Sequence, residues 1–170
     1  MRVAAEALGP TYIKLAQIIS AGEGVFPAEL VTECKKCRDQ VPAVGYDHVV
    51  EIIEADLGVP IHDLFRSIEP TPLAAASIAQ VHAAVLRTGE SVVVKVQRPG
   101  IDELVRKDLR VLAWLAPFLV GRIPVSALAN PPALVELFAE TIIEELDFRV
   151  EAANILDVGR VFVELDKTDF

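Results

Sequence analysis

The chain is poor in cysteine, in histidine and in basic residues, and each shortage removes a class of protein. Two cysteines in 170 residues cannot build a disulfide framework. The three histidines, His48, His62 and His82, are scattered, so nothing completes a four-coordinate zinc site around Cys34 and Cys37. Sixteen basic residues face 25 acidic ones, a formal charge of −9, which argues against a phosphate-tracking surface and removes nucleic acid from the expected partners. Long hydrophobic runs are missing as well. The most apolar stretch, residues 111–120, is half of the roughly 20 residues that span a bilayer, and Pro117 interrupts it. The first residues show no apolar stretch of signal-peptide length. The expected location is cytoplasmic, with peripheral contact to a membrane at most.

What is present suits a folded domain: 52% hydrophobic residues and a mean hydropathy of +0.41 supply a substantial core. Apolar residues recur at Leu8, Tyr12, Leu15 and Ile19, one face of a helix that tolerates Pro10 in its first turn and ends at Gly22 and Gly24. A second helix is expected after Pro27, with Leu30, Cys34, Cys37 and Val41 on one stripe and Pro42 as its stop. On that stripe the cysteines behave as small hydrophobes, which outweighs a thiol-redox reading. A third helix runs from Asp47 to Leu57 and is closed by Gly58. The period then changes. Residues 80–87, a turn at Thr88-Gly89-Glu90, and the β-branched residues 91–97 read as an antiparallel hairpin. Helix returns from Asp102 to Leu119, and a loop with Pro124, Pro131 and Pro132 leads into a long helix from Ala133 to Val161. The fold class is therefore α+β, with helices outweighing one small antiparallel sheet.

Lys95 lies inside the apolar strand, on the face of Val93 and opposite Val92, Val94 and Val96. The strand alone leaves two readings, a solvated lysine or a ligand-facing one. Just before the hairpin, residues 74–79 (Ala-Ala-Ala-Ser-Ile-Ala) form a small-residue turn that lets backbone N–H groups approach a phosphate, with a neighbouring lysine supplying charge. Strand, small-residue loop, strand, turn and lysine strand is the order of a protein-kinase N-lobe. Carboxylates are available: Glu140, Glu144, Asp147 and Glu151 are spaced 4-3-4 along one helical face, with Glu145 about 100° to the side. Between residues 131 and 155 the only basic residue is Arg149, so some of these acids should meet cations from elsewhere, while Glu136 and Glu140 are expected in solvent. On the first helix Lys14 and Gln17 share a sparsely polar face with Pro10 and Ala21, which suggests that this face packs too.

With these residues in view, the chain resembles the UbiB (ABC1, ADCK) family of atypical kinase-like proteins. "LGPTYIKLAQ" at 8–17 looks like the family's KxGQ segment, "PLAAASIAQVH" at 72–82 like its alanine-rich loop, "VVVKVQRPGI" at 92–101 like its lysine strand, and "EELDFRVEAAN" at 144–154 like its ExD segment. Ala16 departs from the pattern by standing at the glycine position of KxGQ, where an added methyl should loosen or shift a close helix contact.

The resemblance implies a helical extension at 1–66 and a kinase-like N-lobe at 67–170 with an inserted helix at 101–119. It implies that Lys95 holds nucleotide phosphates and pairs with Glu151, under a loop formed by Ala74, Ala75, Ala76, Ser77, Ile78 and Ala79. Glu145 and Asp147 would be the ExD acids contacting Lys14 and Gln17, a regulatory segment over the active site. The implied cofactor is ATP or ADP. Mg²⁺ would bind only with a C-lobe, whose catalytic Asp, metal-binding Asn and DFG-type Asp have no counterpart in these residues. No catalytic residue and no metal ligand is therefore expected here. The implied role is the N-terminal part of a kinase-like ATPase linked to isoprenoid-quinone (ubiquinone-type) lipid biosynthesis or its regulation. Prenyl lipid, a membrane surface and self-association through apolar surface are the further expected partners. The rival reading, from the apolar 111–120 run, is a non-catalytic helical interaction or membrane-surface module.

Overall fold

The computed structural model describes residues 2–37, 41–122 and 130–165. Along the chain run α1 (Arg2–Leu8), α2 (Pro10–Ala21), α3 (Ala28–Cys34), α4 (Tyr46–Leu57), the single turn α5 (Ile61–Leu64), β1 (Phe65–Ile68), β2 (Ala74–Ala75), β3 (Ala79–Leu86), β4 (Ser91–Gln97), α6 (Ile101–Leu119), α7 (Pro131–Leu146) and α8 (Phe148–Glu164). The expected α+β class, with a small antiparallel sheet and a majority of helix, is what forms.

β3 is the centre of the sheet. β4 pairs with one of its edges from Ala79↔Gln97 to Val85↔Ser91, the expected hairpin. The other edge is shared by β1, opposite the end of β3, and β2, opposite its start. The β-branched alternation of β4 turns Val92, Val94 and Val96 onto α4, where they join Val49, Ile53, Phe65, Ile68 and Ala84. That leaves Val93 and Lys95 for the opposite face. A second core joins Ile101, Val105 and Leu109 of α6 to Phe138 and Ile142 of α7 and to Ile78 and Ala79 beside the small-residue loop. Complete burial of each such large side chain contributes about 1.5–3 kcal/mol, so this cluster sets where α6 and α7 stand against the loop. A third cluster, Ala16, Ile19 and Cys34, packs α2 on α3; the Ala16 methyl is buried within it.

Four details depart from the sequence reading. Gly9 adopts φ 106°, ψ −164°, a conformation only glycine holds cheaply. It separates α1 from α2 and makes Pro10 the first residue of α2. Leu8 is consequently exposed; of the expected stripe Ile19 is buried and Leu15 partly so, while Thr11, Ile13 and Ala16 are buried beside them. The second helix ends at Cys34, so Cys37 follows in the next turn and Val41 is off that stripe; residues 38–40 of the expected helix lie outside the described residues. The long final helix is two helices that meet at Asp147. The expected division at 66/67 falls inside β1, whose Phe65 and Ile68 share the α4 core. The third helix ends as expected at Gly58, in the left-handed region at φ 70°. Pro124 and its loop lie outside the described residues. Among the described residues no helix is long and apolar enough to cross a membrane.

Candidate functional site

Lys95 stands on β4 directly opposite Val81 of β3. Two residues on, Gln97 Nε2 donates to the Leu146 carbonyl at 2.8 Å, tying the end of β4 to the end of α7. Asp147 then leaves helical geometry (φ −95°, ψ 91°) and caps α8 by accepting from Arg149 N at 3.0 Å. The Arg149 guanidinium donates to both Asp147 oxygens at 2.8 and 2.7 Å. These hydrogen bonds, first those of the side chain, hold the Asp147 carboxyl below the usual carboxylate range. The restart aims the first turn of α8 at β4. Lys95 Nζ lies 4.6 Å from the centroid of the Phe148 ring and forms an ion pair with Glu151. The two side chains are 37% and 49% exposed, so the pair contributes at most about 1 kcal/mol to the fold. An ammonium so placed is oriented without being consumed by the fold, and a bound anion can share it.

A second pair lies nearby. Lys14 Nζ sits 2.8 Å from Glu145 Oε2, with side chains 20% and 34% exposed. α2 is held at this position by Leu15 and Ile18 against the α6–α7 core and by the fully buried Thr11, whose Oγ1 donates to Asp108 Oδ2 of α6 at 2.6 Å. Burial, with Asp108 adding, raises the phenol of the adjacent Tyr12 above its usual value.

The small-residue loop, which leads into β3, lines the same cleft. Ala76 N donates to Ala79 O at 2.8 Å and closes the β2–β3 turn. Ser77, Ile78 and Ala79 are buried while Ala74 is at the exposed rim. Loop and lysines enclose a cleft of about 720 Å³, lined by Lys14, Ala74, residues 76–79, Lys95, Glu144, Glu145 and Glu151. Val81, Ile155 and Val158 give it an apolar side, and Thr141 and Asn154 add polar groups. Its size and its mixture of apolar wall and few charged groups match a small-ligand site. Small side chains at Ala74, Ala76, Ser77 and Ala79 leave the loop backbone open to close approach by a ligand, and Lys95 lines the same cleft. Among the described residues no group of His, Cys, Asp and Glu is arranged to hold a metal ion.

Of the residues singled out from sequence, Lys95, Glu151, Lys14, Glu145 and most of the loop converge on this cleft; Ala75, Gln17 and Asp147 do not line it. Gln17 stays on α2, where its carbonyl accepts from Ser20 Oγ at 2.6 Å. Asp147 was expected beside Glu145 on Lys14 and Gln17; instead it is the cap of α8 and the partner of Arg149, because the helix breaks at it. That break also ends the supposed 4-3-4 acidic face. Cys34 is buried and Cys37 half-buried, and burial pushes both thiols up, away from the reactive thiolate.

Sequence reasoning missed Phe148, Gln97, Thr11 and a buried polar pair. Gln80 and His82 are 2% and 0% exposed on one face of β3. His82 Nδ1 lies 2.7 Å from the Glu69 carbonyl, which only a ring N–H can satisfy, so Nε2 accepts from Gln80 Nε2 at 2.8 Å. Gln80 Oε1 accepts in turn from Val44 N at 2.8 Å. Two polar residues spaced by two in an otherwise apolar strand were the available signal.

Residues 36–168 match the ABC1 atypical kinase-like domain. A protein named "Probable protein kinase UbiB" from Marinobacter nauticus is 39% identical over 162 residues, which cover 95% of this chain and 30% of that protein. Its namesake from Pseudomonas fluorescens strain Pf-5 is 42% identical over 167 residues, with 95% and 30% covered. An uncharacterized protein of Synechocystis is 53% identical over 111 residues, 65% of this chain and 19% of that protein. The chain spans less than a third of the length of these relatives.

Proposed function

The chain belongs to the ABC1 atypical kinase-like family, and on that premise we propose that its cleft binds the phosphates of an adenine nucleotide, ATP or ADP. The observation that carries the reading is Lys95, oriented by Glu151 and Phe148 yet partly in water, lining one cleft with a loop of small residues. An ammonium has three donors; Glu151 takes one and leaves others for phosphate oxygens. Residues 74–79 cover the phosphates in place of a glycine-rich loop, their small side chains letting the backbone come close. Val81, Ile155 and Val158 offer an apolar surface to the base. The Lys14–Glu145 pair makes α2 a wall of the cleft, and through it the N-terminal helices regulate access. ATP, once bound, supplies a transferable phosphoryl group; Mg²⁺ ligands and the residue that orients the nucleophile belong to a second lobe. The 170-residue chain is accordingly expected to bind nucleotide without turning it over, as the nucleotide-holding part of a UbiB-type protein serving isoprenoid-quinone lipid biosynthesis or its regulation.

The test is titration with mant-ADP, after sedimentation velocity has established the association state. Saturable binding that weakens at least about tenfold in Lys95→Ala is expected. Binding indifferent to that substitution, or none in the wild type, overturns the reading. One observation favours a second reading, a membrane-surface module: the outer face of α6 exposes Val111, Trp114, Leu115 and Phe118, with the Trp114 and Phe118 rings 5.2 Å apart. Trp114 is the single tryptophan, so a blue shift of its emission on anionic vesicles, unaltered by Lys95→Ala in a chain that binds no nucleotide, is the result that reading requires.

A further inference from the structure

The geometry points to Arg98 as a positioning residue of the cleft, which ties residues 41–44 to the small-residue loop and so sets how tightly that loop holds a phosphate. The inference rests on the nucleotide reading above and adds a residue to it. Arg98 directly follows β4. Its backbone N–H donates to the Ile78 carbonyl at 2.9 Å and its Nε to the Ala76 carbonyl at 2.7 Å, so one residue grips two carbonyls of the loop. The rest of the guanidinium turns the other way, with Nη1 donating to Pro42 O at 3.0 Å and Nη2 to Val41 O at 3.3 Å. Val44, at the far end of that segment, donates to Gln80 Oε1 at 2.8 Å and its carbonyl accepts from Gln80 Nε2 at 3.3 Å. The segment is thus pinned at one end to the loop through Arg98 and at the other to the strand that leaves the loop.

The grip has a consequence in the cleft, because residues 76–79, whose carbonyls Arg98 holds at Ala76 and Ile78, line that cleft. A loop that binds anions through N–H groups needs those groups held before the ligand arrives. Arginine is suited to the task because its planar fork reaches acceptors on two segments at once; a lysine ammonium on a flexible stem does not reproduce that geometry.

The experiment compares the wild-type chain with Arg98→Ala, Arg98→Lys and, as a folding control, Ile53→Val in the α4 core. Mant-ADP affinity is read well below each melting midpoint, and amide hydrogen exchange of residues 74–79 is followed without nucleotide. Arg98→Ala is expected to weaken binding about tenfold and to speed loop exchange by a similar factor, roughly one charge-assisted hydrogen bond. Arg98→Lys is expected to fall between, and Ile53→Val to lower the midpoint while leaving affinity and loop exchange unchanged. Should Arg98→Ala fail to fold, Arg98→Lys carries the same comparison. Wild-type binding that Lys95→Ala removes and the Arg98 variants leave intact overturns this inference alone. A wild-type chain that binds no mant-ADP overturns the nucleotide reading and this inference with it.

Discussion

Two consecutive helices are held in place by different physics. α7 buries Phe138 and Ile142, 1% and 0% exposed, in the core it shares with α6. α8 has no fully buried residue: Phe148 at its start is half-buried against that same core, and beyond it Ile155, Leu156, Val158 and Val163 are 64%, 63%, 54% and 67% exposed. Yet α8 carries Glu151, the partner of Lys95. Hydrophobic packing fixes α7; one half-buried aromatic, Phe148, together with the Asp147 cap and the Lys95 contacts to Phe148 and Glu151 in its first turn, aims α8. Packing of that kind amounts to several kcal/mol per element, whereas half-exposed polar contacts amount to about 1 kcal/mol or less each. The cleft therefore has a rigid floor and a side wall with little holding it, and the wall is free to answer to what occupies the cleft.

The contrast can be broken by substitution. Phe138→Ala should cost about 3–5 kcal/mol in urea unfolding, since a buried aromatic leaves a cavity; a loss below about 1 kcal/mol would mean that packing does not place α7. Asp147→Ala should act locally, speeding amide exchange in the first turn of α8 roughly fivefold while the α7 amides hold steady. The same cap has a pH signature. Because Arg149 depresses the folded-state pKa of Asp147, its contribution is full above the ordinary carboxylate value and is lost as pH falls through the depressed one. Protection of the first turn of α8 should accordingly decline on acidification below about pH 4, and Asp147→Asn, which can still cap, should flatten that decline. Lys95→Met should change stability by less than about 1 kcal/mol while removing nucleotide binding, a separation of fold from site that a large stability loss would contradict. Leu156→Gln, on the open face of α8, should stay within about 0.5 kcal/mol; a larger loss would show that α8 packs after all.

The legible parts were those whose signal is local. β3 and β4 are long, β-branched and joined by a tight turn, so period and turn chemistry agreed. α4 is amphipathic and ends at a glycine that takes φ 70°. That Lys95 meets a carboxylate of the last helices was within reach because a lysine in an apolar strand and an excess of acids call for each other; Glu151 in particular follows from the motif resemblance. β1 and β2, of four and two residues, are too short to carry a pattern. The break at Asp147 was hidden because the acid spacing runs straight through it, and an aspartate that caps a helix looks in sequence like one on its face.

Strand alternation, turn residues and side-chain size act over neighbouring positions, so the α+β class, the hairpin, the lysine and the small-residue loop are readable from the order of residues. It took the folded chain to make Asp147 a cap, to join Thr11 of α2 to Asp108 of α6, and to pin residues 41–44 beside the loop through Arg98 and Gln80. Each of these is a hydrogen bond whose acceptor or donor becomes available through folding: a carboxylate 97 residues away for Thr11, backbone carbonyls 56 and 57 residues away for Arg98. Backbone groups carry no residue identity, so no pattern of letters announces them; they become partners when packing removes water and leaves them to be satisfied by the side chain at hand.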